Sequence, residues 1–276
     1  MDRGHRRQDE GYSLNRLLRY RLTPVLGAMG LGWWALQRLA PIESGEWVLV
    51  CIAAATLIIY PLDPILDPRD RGPLEGPRFW TLIRLILAAA LFSIALIELR
   101  PVTRIVATSG LLFSLLYSIP FGVHRIKDHS ALKIPFIGIA ISLACLGLPW
   151  LQSDSAVLQD SMMLFAVMLL LVMSNVIVCD IRDHRRDMEA GLNTIATRDL
   201  SLARNTVAVI SLLICFSIRY LHDGESILRG AGLVLAAVVL VLASRLDGKD
   251  TAMTLLADGA MTLPALLELI ISRSRG

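Results

Sequence analysis

Charge is scarce in this 276-residue sequence. Only 18% of residues are charged and 55% are hydrophobic, whereas an ordinary soluble domain carries about 25% charge. A mean hydropathy of +0.60 would be hard to keep in water, and it excludes a disordered chain. Cysteine is scarce too. Cys51, Cys145, Cys179 and Cys215 fall one per apolar run, at no metal or redox spacing, so a disulfide scaffold is excluded and each reads as a small buried hydrophobe. A net charge of +3 says little about partners in a chain this apolar, where the placement of charge matters more, and the composition fits a DNA-binding domain poorly. No long polar linker interrupts the apolar runs, which argues for one domain over 22–276. The basic segment 1–21 before it is expected to lie on an anionic cytosolic leaflet. Arg6-Arg7 superficially suggests a twin-arginine signal, but nothing resembling a cleavage site follows.

What the sequence has is long apolar runs. Nine are expected to span a membrane: 22–39, 46–62, 80–99, 102–119, 134–151, 157–179, 205–221, 228–244 and 252–271. At about 20 residues per crossing, nine spans use roughly 180 residues. With the N-terminus cytosolic, 19 of the 27 Lys and Arg lie inside and six outside, with Arg38 and Arg84 within spans. That bias places loops 63–79, 120–133, 180–204 and 245–251 in the cytosol. The fold class is an all-α membrane protein. Acidic loops after the second and sixth runs, each followed by two runs and a basic loop, suggest two parallel four-helix halves plus one helix around a shared site.

Two carboxylate clusters carry the chemistry. The first contains Asp63, Asp67 and Asp70. Asp63 and Asp67 are four apart, but Pro64 and Pro68 follow them, so the helix is expected to break near Pro61–Pro64. The second places Asp180, Asp183 and Asp187 at i, i+3, i+7, on one face of a helix. Arg182, Arg185 and Arg186 are expected to point elsewhere. Stacked carboxylates near a helix C-terminus repel one another and the helix dipole, so something positive should offset them. Facing acidic groups suit Mg²⁺ held against a diphosphate; two solvated loops balancing local arginines would look similar.

At these residues the sequence resembles the UbiA family of intramembrane prenyltransferases. Asp180-Ile-Arg-Asp183-His-Arg-Arg-Asp187, with Gly191 and Thr194 beyond, matches the family's second aspartate motif. Tyr117 through Lys127 resembles its tyrosine-to-lysine stretch, and Asp258 with Leu263-Pro264-Ala265-Leu266 its last helix. The first motif departs: Ile59 and Tyr60 stand where Asn and Asp would precede Asp63 and Asp67. The resemblance implies nine helices around an apolar, lipid-open chamber. Mg²⁺ would sit on Asp63, Asp67, Asp180, Asp183 and Asp187. A polyprenyl diphosphate would ionise to an allylic cation captured by a lipophilic acceptor, with Asp183, Asp187, Asp63 and Asp67 carrying catalysis. A terpene cyclase is a variant of the same chemistry. An ion-coupled transporter and a non-catalytic lipid-binding homologue are the rivals.

Other residues have two readings each. Arg125 and Lys127 could grip the diphosphate or simply follow the charge bias of cytosolic loops. Arg84 could join them or snorkel. Asn175 could bond a metal-bound oxygen or a neighbouring helix. Tyr117 could shelter a cation with its ring or anchor at the interface. Asp258 is an intramembrane acid, functional or packed against an arginine. The five tryptophans read as interface anchors, and His124, His129 and His184 as solvated loop residues.

Overall fold

Over its described residues, each apolar run is helical, seven of them in one helix and two divided between two helices. This is a computed structural model describing residues 22–39, 42, 44–66, 78–119, 130–153, 158–218, 227–246 and 250–274. The helices are α1 (22–38), α2 (Gly45–Leu66), α3 (Arg78–Glu98), α4 (Pro101–Ser118), α5 (Ser130–Ser142), α6 (Leu148–Gln152), α7 (Leu158–Glu189), α8 (Ile195–Arg198), α9 (Leu200–Ile218), α10 (Ile227–Ser244), α11 (Asp250–Ala260) and α12 (Leu263–Ser274). The described residues contain no strand, as expected where lipid cannot satisfy an open backbone.

Segments Gly45–Asp63, Phe79–Glu98, Leu132–Gln152, Ser161–Glu189 and Leu200–Ile218 are long and apolar enough to cross a bilayer. α11 and α12, bent by 50° between them, make a sixth crossing if they form one broken span rather than a re-entrant loop. By length and composition the described helices therefore account for five or six crossings. Over Pro101–Tyr117 and Gly230–Ser244, α4 and α10 are apolar but shorter.

The 32-residue α7 is the hub, packing against α5, α9, α10 and α11. α10 in turn packs on α9, α11 and α12, while α2 packs on α3, α4 and α6. Val167, Met168, Leu171 and Val178 of α7 are fully enclosed. Leu82, Ile86, Leu87, Ile94 and Ile97 of α3 point outward. An apolar outer surface is stable only against lipid, because the hydrophobic effect would penalise it in water. Backbones meet closely where side chains are absent. A Cβ on Gly232 of α10 would lie 2.7 Å from Pro264 Cα, and one on Gly30 of α1 3.0 Å from Thr262 Cα.

Between α5 and α6, Leu143–Gly147 widens to a π turn in which the Leu148 amide donates to Leu143 O, five residues back. Pro149 follows and has no amide to donate, which favours the irregularity.

Several expectations need correction. α2 does not break at Pro61–Pro64; it stays helical to Leu66, so Asp63 sits on its last turn. Helix-breaking residues are tolerated in apolar surroundings, where abandoning the helix exposes more backbone than a proline forfeits. The last run is broken, as α11 and α12. Trp34 is no interface anchor: it is 1% exposed, with the Arg38 guanidinium 5.6 Å from its ring centroid. Cys215 is exposed and Cys179 half-buried, whereas Cys51 and Cys145 are buried as expected. His184 is half-buried on α7 rather than in a loop; His124 and His129 lie outside the described residues.

Candidate functional site

The second aspartate cluster sits on regular helix because α7 continues unbroken to Glu189. Gly191, at φ +66°, then ends it, a left-handed conformation that glycine adopts without a Cβ penalty. Thr194 opens α8 in a capping box with Thr197, so the Gly and Thr beyond the motif shape the turn that follows it.

Asp180 and Asp187 are 2% and 3% exposed, and Asp183 is half-buried between them. The positive charge that the stacked acids require comes from three places. Lys133 of α5 reaches across to put Nζ 2.5 Å from Asp180 Oδ1. Arg182 does not point away as expected. It forks onto Asp183, with Nε 2.9 Å from Oδ1 and Nη2 2.8 Å from Oδ2. Its Nη1 also donates to Thr254 Oγ1 of α11 at 3.0 Å. Arg186, largely exposed, adds an Nη2 contact of 3.4 Å to Asp183 Oδ2. Repulsion within the acidic face and the cost of an uncompensated buried charge both favour this inward folding of basic groups.

Two acceptors remain. Asp180 Oδ2 is buried without a hydrogen-bond partner. The Asp187 carboxylate makes no hydrogen bond or ion pair among the described residues, yet its residue is almost wholly enclosed. Orphaned carboxylate oxygens on one helix face suit a hard cation. Among the described residues, no three or more His, Cys, Asp or Glu already stand in metal-holding geometry. Asp180 Oδ2 and the Asp187 carboxylate are thus the two donors of a kind that suits Mg²⁺, and Asp183 fits least, being engaged by two arginines.

Across from this cluster lies the end of α2. The Tyr60 hydroxyl is within electrostatic reach of Asp258, Arg182 and Asp63. The residue standing where the first motif would carry an acid thus lies near Arg182 of α7 and Asp258 of α11. Asp67, Arg125 and Lys127 lie outside the described residues. Asp63 is half-buried on the last turn of α2, and Arg84 is exposed on α3. Asn175 Nδ2 donates to Ala257 O at 2.7 Å, tying α7 to α11. Asp258 accepts from Thr23 of α1 at 2.5 Å and also lies within electrostatic reach of Arg182, an arginine of the kind expected for it. The Tyr117 ring stacks on Phe136 at 4.8 Å between centroids and 16° between planes, and Phe113 stacks on Phe136 at 5.0 Å and 25°.

Sequence reasoning missed Lys133, Phe136, Phe113, Thr254 and Thr23. Lys133 had been assigned to the preceding loop. The available signal was a single ammonium inside Ala-Leu-Lys-Ile-Pro-Phe-Ile, where an unpaired charge would be costly.

Among curated proteins, none matches this chain at a significant level. Solved structures do share its fold. The apo UbiA homologue from Aeropyrum pernix K1 superposes with a TM-score of 0.67 at 14% identity, covering 92% of this chain and 99% of that one. The UbiA homologue from Archaeoglobus fulgidus bound to DMAPP and Mg²⁺ gives 0.60 at 14% identity, covering 94% and 99%. A digeranylgeranylglyceryl phosphate synthase gives 0.54 at 16% identity, covering 94% and 95%. These likenesses concern the fold. The sequence itself matches the UbiA prenyltransferase family model over residues 74–254, a span that includes the whole second aspartate motif, and the chain belongs to that family.

Proposed function

We propose that this protein is a transmembrane prenyltransferase that moves a polyprenyl group from its diphosphate to a lipophilic acceptor. The observation that carries the reading is the face of α7, where Asp180 Oδ2 and Asp187 keep acceptor capacity while buried. A relative of the same fold is described with DMAPP and Mg²⁺ bound, which supports the same ligand class here. Asp180 and Asp187 would hold Mg²⁺, with Asp183 adjusting and Asp63 and Asp67 contributing from the α2 side. Bound there, Mg²⁺ would supply counter-charge to the leaving diphosphate.

The chain's own residues do the rest. Arg186, on the exposed rim, offers donors to a phosphate entering beside Asp183. Arg125, Lys127 and Arg84 are the further candidates for that grip. Phe113, Phe136 and Tyr117 form an aromatic wall between α4 and α5, and ring faces of this kind stabilise a cation that must be kept from water. Nine spans in two parallel halves, with the N-terminus and the acidic loops cytosolic, complete the reading. An intramolecular closure of the cation would give a terpene cyclase on the same site.

One observation favours a non-catalytic lipid-binding homologue instead. Three basic groups already pair with two of the three carboxylates, Asp180 and Asp183, and a tyrosine, Tyr60, stands where the first motif would carry an acid. Purified protein given allylic diphosphates of increasing length, with Mg²⁺ and a membrane lipid extract, separates the two readings. Release of diphosphate is expected. Binding of the diphosphate without turnover would refute the enzyme.

A further inference from the structure

The pairing of Lys133 with Asp180 has no role in the chemistry above. Lys133 starts an otherwise apolar stretch of α5, and its ammonium reaches the buried Asp180 of α7 at 2.5 Å. It also lies within electrostatic reach of Asp187 and Asp183. Lys133, Arg182 and Arg186 already pair with Asp180 and Asp183, and they lie near Asp187 and Asp258, so the chain itself supplies most of the cluster's counter-charge. A divalent cation arriving by itself would add positive charge in excess of the remaining acids in a largely enclosed place, which is unfavourable. A cation arriving on an anionic diphosphate brings its own compensation. An ammonium is suited to yielding its place: it is a point charge on a flexible stem, without the fixed fork that binds Arg182 to Asp183. Once displaced, it has three donors to offer the same diphosphate.

We propose that Lys133 is the resident counter-cation of the α7 carboxylates, holding Asp180 until a metal–diphosphate complex displaces it, so that divalent metal enters with its diphosphate and not ahead of it. This rests on the prenyltransferase reading and adds an order of binding and a positioning residue to it.

The test measures Mn²⁺ uptake by electron paramagnetic resonance on the full chain in nanodiscs, with and without inorganic pyrophosphate. Wild-type protein should bind Mn²⁺ at least tenfold more tightly with pyrophosphate than without. Lys133→Met should bind Mn²⁺ alone at least tenfold more tightly than wild type, and Lys133→Arg should not. A gain below threefold in Lys133→Met, while wild type still takes up Mn²⁺ with pyrophosphate, overturns this inference and leaves the metal reading standing. Absence of Mn²⁺ uptake by wild type under either condition overturns both. A second measurement needs no variant. Amine-reactive labelling of Lys133, read by peptide mass spectrometry, should change when Mn²⁺ and pyrophosphate are added together and stay constant with Mn²⁺ alone. A change with Mn²⁺ alone, or none with both, refutes the displacement.

Discussion

Asp183 and Asp187 belong to the same motif, yet their surroundings predict opposite effects on stability when each is replaced by Asn. Asp183 holds both arms of Arg182, whose side chain is 15% exposed. Asn can accept with one oxygen only and carries no charge. Hydrogen bonds to charged groups contribute about 1.5–3 kcal/mol each. Because Arg182 keeps its bond to Thr254 and Asp183 is 24% exposed, the net loss should be about 1–2 kcal/mol. At roughly 2–4 °C per kcal/mol for a domain of this size, Tm falls on the order of 5 °C. Asp187 is a buried carboxylate with no ion pair among the described residues. Removing its charge relieves first the cost of burying it and then the repulsion from Asp183 and Asp180, which together outweigh the lost attraction of Lys133, so Tm should hold or rise by about 2 °C. Turnover, in contrast, should fall on the order of a hundredfold or more in both, since metal-assisted charge stabilisation contributes several kcal/mol and about 1.4 kcal/mol is tenfold. The assay pairs tryptophan-fluorescence melting in detergent with diphosphate release across a Mg²⁺ titration. If Asp187→Asn loses as much stability as Asp183→Asn, or keeps turnover within severalfold, the assignment of Asp187 to the metal is wrong.

Asp70→Ala removes a carboxylate that matches no motif position, and turnover should stay within severalfold of wild type under the same titration. Chelation by EDTA should abolish diphosphate release, and added Mg²⁺ should restore it; persistent turnover would exclude metal dependence. Gly232→Ala drives a Cβ against the backbone of Pro264 at 2.7 Å and should cost about 1–3 kcal/mol, visible as lost monodispersity or a lower Tm. Gly110→Ala, with nothing within 4 Å, should be neutral or stabilising by up to about 1 kcal/mol. Arg38 and Glu268 pair at 3.1 Å with 10% and 9% exposure, so Glu268→Gln alone should destabilise more than Arg38→Met with Glu268→Leu together; a thermal double-mutant cycle checks this. Engineered single cysteines in 63–79 and 180–204 should label from the same face of the membrane, and opposite faces would end the shared-site reading.

Composition and spacing alone determined the class of this protein. Few charges and long apolar runs admit only helices in lipid, and the i, i+3, i+7 spacing of Asp180, Asp183 and Asp187 put three acids on one face whatever else packed nearby. Both follow from local geometry. Who answers those acids was not local. Lys133 is 47 residues from Asp180, and Thr254 is 72 from Arg182; neither pairing leaves a periodic trace. Arg182, adjacent to Asp183, was expected to point away because neighbouring helical positions diverge, yet its long side chain folds back onto Asp183 while its third nitrogen reaches Thr254 of α11. Tyr60 read as a lost acid in sequence, and only the packing of the bundle brought it near Asp258 and Arg182. Helical spacing is set by the backbone of one segment. The partner of a buried charge is set by which other segment reaches it first, and that is decided by the packing of the whole bundle.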